Sequence, residues 1–143
     1  MREIKFRGKR IDNGEWVFGD LLNCEDGSKK IVNSDDFYEV IPETVGQYTG
    51  LHDSKRTKEY PEGQDIYEGD IVHMIEVGKD FCREYITDIK WEDCCFCMKS
   101  EKMDDYDTFL GAWSGNLENT YPLFEMTVIG NIYDNPELLK ESE

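Results

Sequence analysis

The stretch IYEGDIV, Ile66 to Val72, sets two carboxylates, Glu68 and Asp70, around Gly69. Such a trio could serve as an acid–base pair, as half of a metal site, or as a tight bend between strands. Further acidic neighbours occur at Asp35/Asp36, Glu92/Asp93 and Asp104/Asp105. With 32 Asp and Glu in the chain, such pairs arise by chance and name no reaction. The two histidines, His52 and His73, are the candidate bases. His73 falls within a strand pattern, where a satisfied or exposed structural histidine is the ordinary case. Trp16, Trp91 and Trp113 could stack on a ligand, but core or interface packing is the default for large aromatics.

Cysteine chemistry is equally unspecific. Five cysteines stand at Cys24, Cys82, Cys94, Cys95 and Cys97, an odd number with three crowded into CCFC. Cys94 and Cys97 have the spacing of half a zinc site, and no second pair or nearby His completes it. Reduced thiols acting as small hydrophobes are the expectation, with no metal and no cofactor. No phosphate-binding loop, dinucleotide fingerprint or H-E-x-x-H is present. We therefore assign no catalytic, cofactor-binding or metal residue and read the chain as non-enzymatic.

Two short segments are assigned other roles. Gly69 and Asp70 read as a structural turn, the glycine supplying a backbone angle other residues resist and the aspartate bonding the turn backbone. Gln47, Tyr48 and Thr49 lie between Gly46 and Gly50. They form the candidate interaction surface, against the alternative that the glycines only shape a bend and Tyr48 packs between the two halves of the chain.

The elements that must position these residues are strands. REIKFRGKRI alternates, with Ile4 and Phe6 on one face. Asp12-Asn13-Gly14 turns it into EWVFGDLL, and Asp26-Gly27 turns Leu21-Leu22 back into Ile31-Val32. Pro42 marks an edge or a strand start. Leu51 to Gln64 is polar, carries Pro61 and Gly63, and reads as a surface loop. DIYEGDIVHMIEVG places Ile71, His73 and Ile75 on one face and Val72, Met74 and Glu76 on the other. EYITDIKWEDCCFCM gives one strand or two, and YPLFEMTVIGNIY another. SEKMDDYDTFLGAWSGN reads as a loop with at most a short helix. Asn135, Pro136 and Glu137 start a short terminal helix docked by Leu138 and Leu139. The fold class is all-β and mainly antiparallel. A small barrel is expected over residues 65–143, joined to an N-terminal β subdomain over 1–64.

Aromatic residues make up 13% of the chain, which argues for a folded protein despite its charge. No apolar run approaches a membrane span, and the basic start lacks an apolar leader core, so a cytoplasmic protein is expected. The net charge is −16. Residues 1–64 hold ten Lys/Arg against thirteen Asp/Glu, a net of −3, and residues 65–143 hold six against nineteen, a net of −13. Direct nucleic-acid binding is disfavoured by that balance.

The segments PETVGQYTGL (Pro42 to Leu51), IYEGDIV and VIGNIYDNPELL (Val128 to Leu139), with the opening MREIKFR, together resemble the YopX family of phage and prophage proteins. The order and spacing of the segments carry the resemblance. It implies a β-rich protein with an SH3-like second half, encoded by a phage or prophage, with no established activity and no catalytic residues to transfer. The chain departs from the family pattern between YTGL and IYEGD, where HDSKRTKEYPEGQD replaces a short turn, and over Glu76 to Glu125, so CCFC gains no support from the family. Two functions fit these readings. One is a protein-binding or self-assembling β module, with itself or a host or phage protein as partner. The other is an acidic nucleic-acid mimic that occupies a host DNA-binding protein, motivated by the net of −13.

Overall fold

The computed structural model of the chain describes residues 3–77, 80, 82–92, 95–98, 108–109 and 123–141. The expected loop after Met98 lies outside them, apart from Thr108 and Phe109. Cys94, Asp93, Asp104, Asp105 and Trp113 lie outside them too, as do the side chains of Glu92, Cys95 and Cys97. The described residues are all-β apart from a short 3-10 turn and one short helix, and the chain divides into two compact units, Met1–Gly50 and Leu51–Glu143.

In the first unit, β1 (Phe6–Lys9), β2 (Trp16–Asn23), β3 (Lys29–Val32) and β4 (Phe37–Val40) form an antiparallel meander, with β5 (Gly46–His52) on the other side of β1. The turns are set by local chemistry, because short polar side chains can imitate backbone partners. Asn13 Oδ1 accepts the Glu15 N–H, Asp26 Oδ1 accepts the Ser28 N–H, and Asn33 Oδ1 accepts those of Asp35 and Asp36. Ile4, expected in the first strand, precedes it and is exposed.

The meander curls until its last strand meets the end of its first. Arg10 and Val40 form an isolated bridge. Beside it, the Ile41 N–H donates to the Lys9 carbonyl at 2.8 Å and the Ile11 N–H to the Glu39 carbonyl at 3.1 Å. The outer edge of β4 is therefore occupied by the chain itself. Pro42–Thr44 then makes a 3-10 turn, and the Thr44 hydroxyl accepts the Lys9 N–H. Ile31 and Val40 fill the inside of the curl and are fully buried. Val40 reaches so far inward that a Cβ on Gly8 would lie 3.0 Å from its side chain.

In the second unit, β6 (Asp65–Tyr67) leads through a two-residue turn into β7 (Asp70–Val77). β8 (Cys82–Glu92), β9 (Cys95–Met98), β10 (Thr108–Phe109) and β11 (Leu123–Asn131) complete an antiparallel sheet of order β10-β9-β8-β7-β11, and α1 (Glu137–Glu141) follows. One face of β7, β8 and β11 carries Val72, Met74, Tyr85, Ile89 and Met126, which pack with Ile66 into a single buried cluster. Full burial of an apolar side chain of this size contributes about 2 kcal/mol.

One expectation changes here. Among the described residues the second unit is an open sheet, with β10 and β11 at its edges, and not a closed SH3-like barrel. The reason lies along the outer side of β11. Its backbone groups at Met126 and Val128 bond to Ser54 and Asp53, so no further strand is needed there. Asp53 and Ser54 themselves belong to the second unit, Leu51–Glu143.

Candidate functional site

The IYEGDIV junction is a strand turn. Gly69 has φ of +91°, a region glycine enters without the Cβ penalty of other residues. The Asp70 carboxylate accepts the Tyr67 N–H at 2.7 Å and is 2% exposed. Gly69 also donates its N–H to the Ile89 carbonyl and accepts the Ile132 N–H, each at 2.9 Å, so the bend ties β8 to the chain after β11. Gly69 lies in this turn and Asp70 opens the strand after it, and the buried oxygen of Asp70 that accepts from Tyr67 is engaged in holding the backbone.

A second buried carboxylate escaped the sequence reading. Asp53 is 5% exposed. Its Oδ1 accepts the Gln64 N–H at 2.8 Å and the Lys55 N–H at 3.3 Å, while Oδ2 accepts the Val128 N–H at 3.0 Å. Beside it, the Ser54 hydroxyl accepts the Met126 N–H at 2.9 Å, and the Ser54 N–H donates to the Met126 carbonyl at 2.7 Å. Together these residues imitate a strand along the edge of β11. The only local signal was an Asp-Ser pair in a polar loop, a common turn dipeptide.

The remaining candidates are also placed. Gln47, Tyr48 and Thr49 lie within β5, where Tyr48 and Thr49 are buried and Gln47 is half-buried. The Lys5 ammonium stands 4.8 Å from the Tyr48 ring centre. The segment thus presents little surface. Of the histidines, His52 Nε2 is 3.0 Å from Asp65 Oδ1, and His73 Nε2 meets the Glu84 carboxylate across β7 and β8. Trp16 lies under the Arg7 guanidinium and the Lys9 ammonium. Trp91 is about half exposed. Asp35 and Asp36 sit in the β3–β4 turn, where Asp36 Oδ1 accepts the Phe37 N–H. No group of three or more His, Cys, Asp or Glu able to hold a metal ion occurs among the described residues.

What the first unit does present is a sheet face on which large apolar side chains stand exposed among charged ones. The register puts Asp20, Val32 and Phe37 side by side, and Leu22, Lys30 and Glu39 side by side, on the outside of the curl. Phe18 shares that side of β2. Phe18, Leu22 and Phe37 are 47%, 49% and 61% exposed. A one-sided antiparallel sheet carries polar residues on its solvated face. Grouped apolar side chains there mark an interaction surface. The Lys30 ammonium lies 5.4 Å from the Phe37 ring centre, a cation–π contact.

Comparison with known proteins adds the following. The family described as YopX protein matches residues 5–140. A search of curated proteins finds no match. Among solved structures, the chain is similar to the crystal structure of protein EF1440 from Enterococcus faecalis. The identity is 21%, the coverage 97% of this chain and 99% of that one, and the TM-score 0.50, a likeness of fold. No helix among the described residues is long and apolar enough to cross a membrane.

Proposed function

We propose that this chain, which belongs to the YopX protein family, is a non-enzymatic β module that binds protein through the outer face of β2–β4. One observation carries the reading: Phe18, Leu22 and Phe37 stand exposed together on one side of a sheet whose edge strand β4 is already paired along Glu39–Ile41. Strand addition at an open edge is thereby disfavoured, and docking onto the face is favoured. The absence of catalysis is supported by how the candidate groups are engaged. Asp53 and Asp70, the two buried carboxylates among the described residues, hold backbone N–H groups. A phage or prophage source, as the family resemblance implies, and a cytoplasmic setting, as the sequence pattern suggests, belong to the same proposal.

The test compares the wild type with Phe18→Ser/Phe37→Ser by light scattering and by affinity capture from a host lysate. The reading expects an association, with itself or with a captured protein, that the double variant loses while its thermal unfolding is unchanged. A wild type that is monomeric and captures nothing beyond what the variant captures would sink it. A second reading, mimicry of nucleic acid, is favoured by the charge of the second unit, where nine Lys/Arg face 22 Asp/Glu. It expects the captured protein to be a DNA-binding protein released by added duplex DNA, and to be kept by Phe18→Ser/Phe37→Ser.

A further inference from the structure

Charge decides which protein can use the β2–β4 face. The chain has a net charge of −16, so two copies repel over most approaches. The first unit is much nearer balance, with seven Lys/Arg against ten Asp/Glu. Its outer face mixes both signs around the apolar group. Lys30 stands between Leu22 on β2 and Glu39 on β4, and Asp20 flanks Val32. A two-fold contact is self-complementary: residue i of one subunit meets j of the other, and j meets i. A face on which Lys30 lies beside Glu39 meets that condition, with Phe18, Leu22 and Phe37 packing around the two reciprocal ion pairs.

Resting on the reading of this face as protein-binding, we infer that its occupant is a second copy of the same chain, docked face to face about a two-fold axis. Lys30 of each copy is set against Glu39 of the other.

Light scattering on the full chain tests this with variants that change only charge. The wild type is expected at twice the chain mass. Lys30→Glu alone and Glu39→Lys alone are each expected at the single-chain mass, since each places like charges across the axis. An equimolar mixture of the two variants should return to twice the chain mass, because both cross-contacts then join opposite signs. Thermal unfolding of each variant checks that the fold survives. A monomeric wild type, a Phe18→Ser/Phe37→Ser variant that still dimerises, or a mixture that stays monomeric would each overturn the inference. If the wild type is monomeric yet captures a lysate protein that Phe18→Ser/Phe37→Ser loses, the binding module stands and the self-contact falls. If it captures nothing, both fall.

Discussion

The Asp53 carboxylate accepts the backbone N–H of Val128 at 3.0 Å, across 75 positions of sequence. It also holds the N–H groups of Lys55 and Gln64, so one side chain serves three donors. Leaving such groups buried without partners costs about 1–3 kcal/mol each. Asp53→Ala is therefore expected to lower unfolding stability by about 3 kcal/mol, read from the urea midpoint. Asp53→Asn should also destabilise, because an amide NH₂ would face one of the N–H donors. Hydrogen exchange at the Val128 amide should accelerate in both. Unchanged exchange there would remove Asp53 from its assigned role.

Asp70 makes a contrasting case. The Tyr67 N–H needs one acceptor oxygen, which an asparagine retains. Asp70→Asn is expected to cost about 1 kcal/mol or less, and Asp70→Ala about 2 kcal/mol. Thermal unfolding of the two variants checks the order, and a larger loss for asparagine than for alanine would contradict it.

Glycine substitutions should rank by space as well as by φ. A Cβ on Gly63, at φ of +98°, would lie 2.2 Å from the Asp53 carbonyl oxygen, a backbone atom. Gly69→Ala is expected to cost roughly 1 kcal/mol for the positive φ. Gly63→Ala adds a backbone clash and should cost more, with equal losses the disconfirming result.

In the first unit, Gly8→Val should force Val40 out of the inside of the curl. Overpacking of this kind costs about 1–3 kcal/mol. Val40→Ala in the same background should recover part of the loss, measured as the shift in unfolding midpoint between single and double variants.

The pH dependence follows from two exposed carboxylates. The Ser28 hydroxyl, and secondarily its N–H, holds Asp26 below the ordinary value of 3.8, and the Arg10 guanidinium holds Asp12 below it as well. A folded pKa lowered in this way adds stability above the unfolded value, and the gain disappears as pH falls through the folded one. The gap in urea midpoint between wild type and Asp26→Ala should be constant near neutrality and shrink once pH drops below 3.8. A gap that widens with acid would refute the assignment.

Local chemistry was legible in the sequence, and long-range closure was not. The turns at Asn13, Asp26 and Gly69 follow from residues that bond their own neighbours. Alternation along β7 separated Val72 and Met74 from His73, as the fold does. Alternation cannot say which face is covered, so the exposure of Phe18, Leu22 and Phe37 is not visible in the pattern. The triplet Gln47-Tyr48-Thr49, flanked by glycines, suggested a surface bend, yet it runs extended and largely buried in β5. Barrel closure depended on what meets the edge of β11, and the answer, Asp53 and Ser54, lies more than seventy residues earlier.

That separation has a kinetic consequence. The hairpins of the first unit close over short stretches of chain, whereas β11 finds its edge partners only after the whole second unit has emerged. Contacts so distant in sequence slow the folding step that forms them. Until β11 arrives, β7 shows an unpaired edge of the kind that recruits foreign strands. A growing chain halted before Leu123 thus exposes that edge, and the Asp53–Ser54 segment becomes protective only once β11 has formed.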